Sequence, residues 1–92
     1  MNKGELIDAV ASSTELPKNV IDNVVSATID TVMETVSEGE KVTLIGFGSF
    51  EPRDRKARDG RNPKTGEVIK IPATIVPAFS AGKAFKERVK EA

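Results

Sequence analysis

One stretch of the chain, residues 53–70, limits the possible folds more than any other. It reads Arg-Asp-Arg-Lys-Ala-Arg-Asp-Gly-Arg-Asn-Pro-Lys-Thr-Gly-Glu-Val-Ile-Lys, with seven basic and three acidic residues, and large apolar side chains only at Val68 and Ile69. A segment of that composition cannot bury enough apolar surface to join a core. Asn62-Pro63-Lys64-Thr65-Gly66 within it is a turn cluster. Beyond the turn, Glu67 to Val76 is rich in β-branched residues and is broken by Pro72, which belongs at an edge or a bend. The pattern predicts a long β-hairpin with its tip at residues 61–66. Legs of about nine residues give it a reach of roughly 30 Å. So sparse an apolar content holds a ribbon weakly, and its outer half is expected to be mobile without a ligand, with unprotected amides over residues 55–68.

The remainder of a 92-residue chain must supply the core, which makes one small domain with a marginal interior. Asn2 is suited to cap a helix, with Glu5 three residues on, and Leu6, Ile7 and Val10 recur at helical spacing. This helix should end near residues 12–15, and Pro17 suits the opening of the next. The second helix runs to about Glu38 and stops at Gly39. Its apolar residues Val20, Ile21, Val24, Val25, Ile29, Val32, Met33 and Val36 cover an arc of roughly 220°, wider than a surface helix needs. One part of the arc can pack on the chain's own body and the rest on a second copy; the alternative is a helix buried inside a monomer. The short chain favours the dimer, because little else is available to cover both faces.

Lys41-Val42-Thr43-Leu44 alternates as a half-buried strand does. Gly46-Phe47-Gly48 marks a bend or a close backbone approach, and Ser49-Phe50-Glu51 resumes the strand. Near the C-terminus Ser80 reads as the N-cap of a last helix from Ala81 to about Lys90, with Phe85 and Val89 inward. The expected fold is a single α+β domain over 1–92: a helical dimerisation part at 1–40, a three-stranded antiparallel sheet and projecting β arm at 41–77, and a C-terminal helix at 80–92.

The formal net charge is zero, from 14 basic and 14 acidic residues. Taken whole, that argues against nucleic-acid binding, yet the charge is segregated. Residues 1–40 hold two basic and eight acidic residues, net −6, and residues 41–92 hold the other twelve basic and six acidic residues, net +6. An acidic scaffold carrying a basic working surface is the simplest reading. The chain has no Cys, His, Trp or Tyr, which removes thiol chemistry, imidazole metal ligands and His-based acid–base catalysis. Gly82-Lys83 lacks the upstream glycine and following Ser or Thr of a P-loop, and the carboxylates are scattered. No enzymatic activity, catalytic residue, metal site, cofactor or small-molecule substrate is expected. Met1-Asn2-Lys3-Gly4-Glu5 has no apolar signal core, and the expectation is a cytoplasmic protein with no membrane partner.

Gly46-Phe47-Gly48-Ser49-Phe50, then Arg58, Gly60 and Arg61-Asn62-Pro63-Lys64-Thr65-Gly66, resembles the signature of the HU/IHF histone-like family of bacterial DNA-binding proteins. The resemblance extends over the whole chain, through Met1-Asn2-Lys3, Ile71-Pro72-Ala73 and Val76-Pro77-Ala78-Phe79-Ser80-Ala81-Gly82-Lys83. It implies an intertwined dimer, most similar to HU, associated with the nucleoid. It also implies two arms that enter the minor groove of double-stranded DNA, and bend and compact it; the acidic scaffold lowers the overall charge relative to strongly basic relatives, which predicts weaker binding to undistorted duplex and a preference for bent, nicked or gapped DNA. Carried over residue by residue, it makes Pro63 an intercalating wedge. Arg53, Arg55, Arg58, Arg61, Asn62, Lys64, Lys70 and Thr74 become arm contacts, and Gly46, Gly48, Lys83 and Lys86 the phosphate-facing body. Val25, Ile29, Val32, Leu44, Phe47, Phe50 and Phe79 become dimer core. Ile75 stands where relatives commonly carry a basic residue, which puts one phosphate contact in doubt.

Plainer readings stand beside these. Pro63 can be a turn residue only, and the arm's cations can be a solvated edge that resists aggregation. Lys83 and Lys86 can be ordinary surface lysines, although cations gain nothing from the start of a helix and an anion partner would explain them. Lys3 can pair with a carboxylate of the second helix or touch DNA. Asp54, Asp59 and Glu67 are expected to pair with neighbouring Arg residues or to limit the attraction. Two other functions remain open: a sequence-specific IHF-like bending subunit that needs a different partner chain, and a dimerisation or protein-interaction module with no DNA role.

Overall fold

A computed structural model describes residues 1–92. The elements run α1 (Lys3–Thr14), α2 (Lys18–Ser37), β1 (Val42–Leu44), β2 (Gly48–Arg55), β3 (Arg58–Arg61), β4 (Val68–Ile71), β5 (Thr74–Ala81) and α3 (Lys83–Glu91). The fold is α+β. The chain divides into two compact units, Met1–Glu34 and Thr35–Ala92.

The first unit is the helix pair. The Asn2 side chain caps α1 by accepting from the Glu5 N–H at 2.9 Å. The helix ends at Glu15 in the left-handed conformation, φ 58°. The Pro17 carbonyl then accepts from the N–H groups of Val20 and Ile21, which opens α2. Ile7 and Ala11 of α1 and Ile21 of α2 are buried, and Val10 and Val25 pack against them. Two buried isoleucines contribute about 3–6 kcal/mol together, a small return against the entropy of ordering a helix pair. The middle of the α2 apolar arc is therefore partly covered while its shoulders stay open: Val24 and Met33 are each 56% exposed. Lys18 pairs with Asp8 at 2.9 Å. Lys3 Nζ donates to Ser26 Oγ at 2.8 Å, and that hydroxyl donates to Asp22 at 3.2 Å. Lys3 thus reaches the acidic helix through a serine, with no carboxylate directly on it.

In the second unit β1, β2 and β5 form an antiparallel sheet in the order β1-β2-β5, and β3 and β4 form a two-stranded ribbon. Arg55 faces Thr74 in the sheet and Arg58 faces Ile71 in the ribbon. Two residues are skipped on each strand, Lys56-Ala57 and Pro72-Ala73, so the hairpin keeps one register across the gap. The expected hairpin is present, but it is interrupted midway. Pro72 has no N–H to give to the ladder, and the pairing stops on both strands opposite it. Pro52 and Pro77 face each other inside β2–β5. They are tolerated because β1 pairs only as far as Phe50, which leaves β2 an edge at Pro52.

The last helix starts later than its sequence signals suggest. Ser80 and Ala81 belong to β5, paired with Ser49 and Gly48, and α3 begins at Lys83 with Gly82 as its N-cap. The ladder holds Ser80 extended, and its hydroxyl is used across the sheet, as described below, so it caps no helix.

Candidate nucleic-acid interface

Strand alternation gives the three-stranded sheet two unlike faces. Phe50 and Phe79, directly paired, point to one face and meet at 4.8 Å between ring centroids. Phe47 from the β1–β2 turn and Phe85 from α3 join them, with Phe47 at 5.2 Å from Phe79 and stacked at 5.4 Å on Phe85. This aromatic cluster is not closed. Phe47 is 43% exposed and Phe79 40% exposed. The opposite face is polar and carries Thr43, Ser49, Glu51, Arg53, Arg55, Thr74 and Ser80. There Arg53 Nη2 donates to Glu51 Oε1 at 3.2 Å and to Ser80 Oγ at 3.3 Å, and Ser80 Oγ donates to the same carboxylate oxygen at 3.2 Å. Lys41 Nζ lies 3.9 Å from Glu51 Oε2. The Arg53 guanidinium, followed by the Ser80 hydroxyl and the charge of Lys41, holds the Glu51 carboxyl below its usual range.

The ribbon beyond is also two-faced. Arg58, Gly60, Ile69 and Ile71 share one side, with Ile71 and Ile69 lying over the Cα of Gly60. Asp59, Arg61, Val68 and Lys70 share the other. Arg55, Lys56, Arg58, Arg61, Lys64 and Lys70 form no salt bridge, because the four ion pairs of the chain join Lys18 to Asp8, Lys41 and Arg53 to Glu51, and Lys83 to Glu87. The expected pairing of Asp54, Asp59 and Glu67 with neighbouring arginines is absent, and the charge on these six side chains is left to solvent.

The tip is built from its own backbone. Asn62 N–H donates to the Glu67 carbonyl and Gly66 N–H to the Asn62 carbonyl, both at 2.8 Å. Asn62 Oδ1 accepts from the Lys64 N–H at 2.9 Å, and Gly66 takes φ +74°. The Asn62 carbonyl group is thereby committed to shaping the turn, and Pro63 is presented outward and exposed.

A second cationic location lies where the β1–β2 turn meets α3. Phe47 N–H donates to the Leu44 carbonyl at 3.0 Å, and Gly46, at φ +84°, supplies the positive φ required at the third position of a type II turn. Gly82 N–H donates to the Phe47 carbonyl at 2.8 Å, which seats the helix start against the turn. No side chain caps α3, so its first-turn N–H groups are open beside Lys83 and Lys86. Lys83 is 90% exposed and only 4.0 Å from Glu87, a loose i,i+4 pair. Gly48 is buried, and the space it leaves serves packing: a Cβ there would sit 2.5 Å from the Ser80 carbonyl oxygen.

Of the residues assigned to a dimer core, Val25 packs on the chain's own helical core. Ile29 and Leu44 are each 43% exposed, and Val32 and Phe50 are half-buried. The residues that sequence reasoning passed over are Lys41, Glu51 and Ser80. The available signal was the i, i+2 spacing of Glu51 and Arg53, which puts both on one face of a strand.

A sequence profile described as bacterial DNA-binding protein matches residues 1–90. DNA-binding protein HU of a Nostoc species is 63% identical over 97% of this chain and 95% of its own length, and the Synechocystis HU is 60% identical over the same shares. Among solved structures, HU from Anabaena in a cocrystal with DNA superposes with a TM-score of 0.94, at 61% identity and full coverage of both chains. HU from Thermotoga maritima, 35% identical, gives 0.70 over 97% of this chain and 98% of its own. By profile, sequence and fold alike, the chain belongs to the HU family of bacterial DNA-binding proteins.

Proposed function

We propose that this chain is an architectural, largely sequence-independent DNA-binding protein that acts as a homodimer at the nucleoid. Its two β ribbons enter the minor groove, Pro63 wedges between base pairs, and the duplex is bent and compacted. The observation that carries this reading is the row of six unpaired cations on residues 55–70 leading to an exposed proline. A ribbon with no core to serve, seven basic against three acidic residues over 53–70, and no ion pair holding those six cations is matched to a polyanion. An apolar wedge unstacks a base step for a few kcal/mol and gains wrapped contact in return. Lys83, Lys86 and the open N–H groups of α3 suit the flanking phosphates. The relative crystallised with DNA, nearly superposable over its whole length, supports the same partner.

Exposed apolar side chains support the dimer. Val24, Ile29, Met33, Phe47 and Phe79 each retain between 40% and 56% of their exposure. Burying the remainder is worth about 1 kcal/mol apiece, a gross gain of about 10 kcal/mol over two chains to set against an association cost of about 4–15 kcal/mol. With Ile75 exposed in place of a cation and a net charge of zero, undistorted duplex is bound weakly and nicked, gapped or bent DNA is preferred.

The test is a binding titration against linear and nicked duplexes at two salt concentrations, with Arg58→Ala and Pro63→Ala beside the parent. The parent should prefer nicked DNA and lose affinity by close to one power of salt concentration per phosphate neutralised. Pro63→Ala should lose chiefly the preference for nicked DNA. A Pro63→Ala protein that bends DNA as sharply as the parent refutes the wedge. Absence of binding by all three proteins at low salt refutes the function.

A further inference from the structure

Of the seven basic residues on 53–70, Arg53 alone is held by a carboxylate. Its Nη2 shares Glu51 Oε1 with the Ser80 hydroxyl, and the other oxygen of Glu51 faces Lys41. Glu51 is the only carboxylate among the paired residues of that polar face, and it stands at the inner end of the cationic ribbon. Its Oε1 takes an N–H of Arg53 Nη2 that a phosphate oxygen would use. Resting on the DNA-binding reading above, we propose that Glu51 is an internal phosphate mimic. In the free protein it holds Arg53 and Lys41, and the sugar–phosphate backbone of DNA displaces it, so that Glu51 sets how much of the cationic track is available and lowers affinity for duplex.

The magnitudes favour displacement over shared binding. The Arg53 side chain is 53% exposed, and an ion pair at such a site holds its partner by no more than about five-fold. One phosphate contact is worth about eight-fold at 0.1 M salt relative to 1 M, so the phosphate wins where salt is low. A phosphate that reaches Arg53 while Glu51 stays in place brings two anions onto one guanidinium, where they repel each other. A carboxylate is charged throughout the neutral range, and the lowered pKa of Glu51 keeps it charged, and therefore competing, further into acid.

The experiment is fluorescence anisotropy of a labelled linear duplex over a salt series, with the parent, Glu51→Gln, Arg53→Ala, the double variant and Arg58→Ala. Glu51→Gln should bind about two- to five-fold tighter at 0.1 M salt, the strength of the ion pair that DNA must break in the parent. Most of that gain should vanish when Arg53 is alanine. A gain that persists undiminished in the Arg53→Ala background is a general charge effect and overturns the proposal, as does a Glu51→Gln protein that binds no tighter than the parent. Glu51→Ala repeats the comparison if the glutamine loosens the sheet. In the parent itself the Glu51 carboxyl ¹³C resonance should shift on DNA addition, and an unmoved resonance also overturns displacement. A parent that binds no DNA sinks both readings. A parent that binds, weakened by Arg58→Ala and unimproved by Glu51→Gln, sinks this one alone.

Discussion

Three glycines of the second unit have no side chain for three different reasons, and alanine separates them. At Gly48 a Cβ would lie 2.5 Å from the Ser80 carbonyl oxygen and 2.7 Å from Phe79 Cζ, on a backbone at φ +154°. The oxygen is held in the β2–β5 ladder and the ring is held by three other phenylalanines, so neither retreats cheaply. Overpacking of this kind costs about 1–3 kcal/mol, and an unfavourable backbone conformation adds about 1–3 kcal/mol. About 3 kcal/mol is therefore the expected loss for Gly48→Ala, or a fall in Tm of about 12–24 °C at the sensitivity of a domain this size. At Gly46 a Cβ would meet nothing within 4 Å, and only the positive φ counts, for about 1–2 kcal/mol. At Gly60 the Cβ would meet the Cδ1 of Ile71 at 2.9 Å, the free end of a flexible side chain, and the cost should stay below about 1 kcal/mol. Urea and thermal denaturation followed by circular dichroism, at one protein concentration, rank the three. Gly48→Ala must be the worst and Gly60→Ala the mildest. A Gly48→Ala protein no less stable than Gly46→Ala would show that the close approach of β2 to β5 is not what fixes this position.

Phe47→Ala should weaken self-association, because it removes the ring that joins the turn to Phe79 and Phe85 while remaining 43% exposed itself; sedimentation equilibrium reads the loss, and an unchanged dimer constant refutes the aromatic face as the contact. Glu51 stabilises the fold through its charged form, so the stability it adds is present above the ordinary carboxylate pKa and is lost as pH falls through its lowered folded value. The stability difference between parent and Glu51→Gln should accordingly close as the solution is made acidic, and a difference that widens towards low pH contradicts the pairing with Arg53 and Ser80.

Much of this architecture was legible because it is written in local chemistry. Asn2 before an amphipathic run, Pro17 at a helix opening, Gly39 at a helix end and Asn62-Pro63-Lys64-Thr65-Gly66 at a tip each act within four residues, and each element begins or ends about where those residues place it. What was not legible depends on register between distant strands. Ser80 has the chemistry of an N-cap, and only its pairing with Ser49 keeps it extended and turns its hydroxyl towards Glu51. The arm cations looked like one group in the sequence. Pairing of Arg58 with Ile71 and Arg61 with Val68 divides them between two faces, and Asp59, though set opposite Lys70, closes no ion pair with it. The interruption at residues 56–57 was half visible, since Pro72 announced a bend but not that its partner strand would break in step.

The zero net charge has a consequence for binding that a uniformly basic protein would not share. Screening decides which charges a duplex senses: the Debye length is about 8 Å at physiological salt and about 30 Å at 0.01 M. At physiological salt a phosphate on the ribbon senses chiefly the charges beside it, the six unpaired cations and the neighbouring Asp54, Asp59 and Glu67. At 0.01 M the field of residues 1–40, net −6, reaches as far as that of residues 41–92, net +6, and long-range attraction is lost where a basic protein gains it. The plot of log affinity against log salt should therefore be steep and straight above about 0.1 M, where counterion release from local contacts governs it, and should flatten as salt falls towards 0.01 M. Neutralising four carboxylates of the helical part, by Asp22→Asn, Asp30→Asn, Glu34→Gln and Glu38→Gln together, should restore the straight line at low salt with little change above 0.1 M. A parent plot that stays straight to 0.01 M would mean that the acidic half is held too far from bound DNA to matter, and that neutrality of the whole chain has no bearing on how its ribbon works.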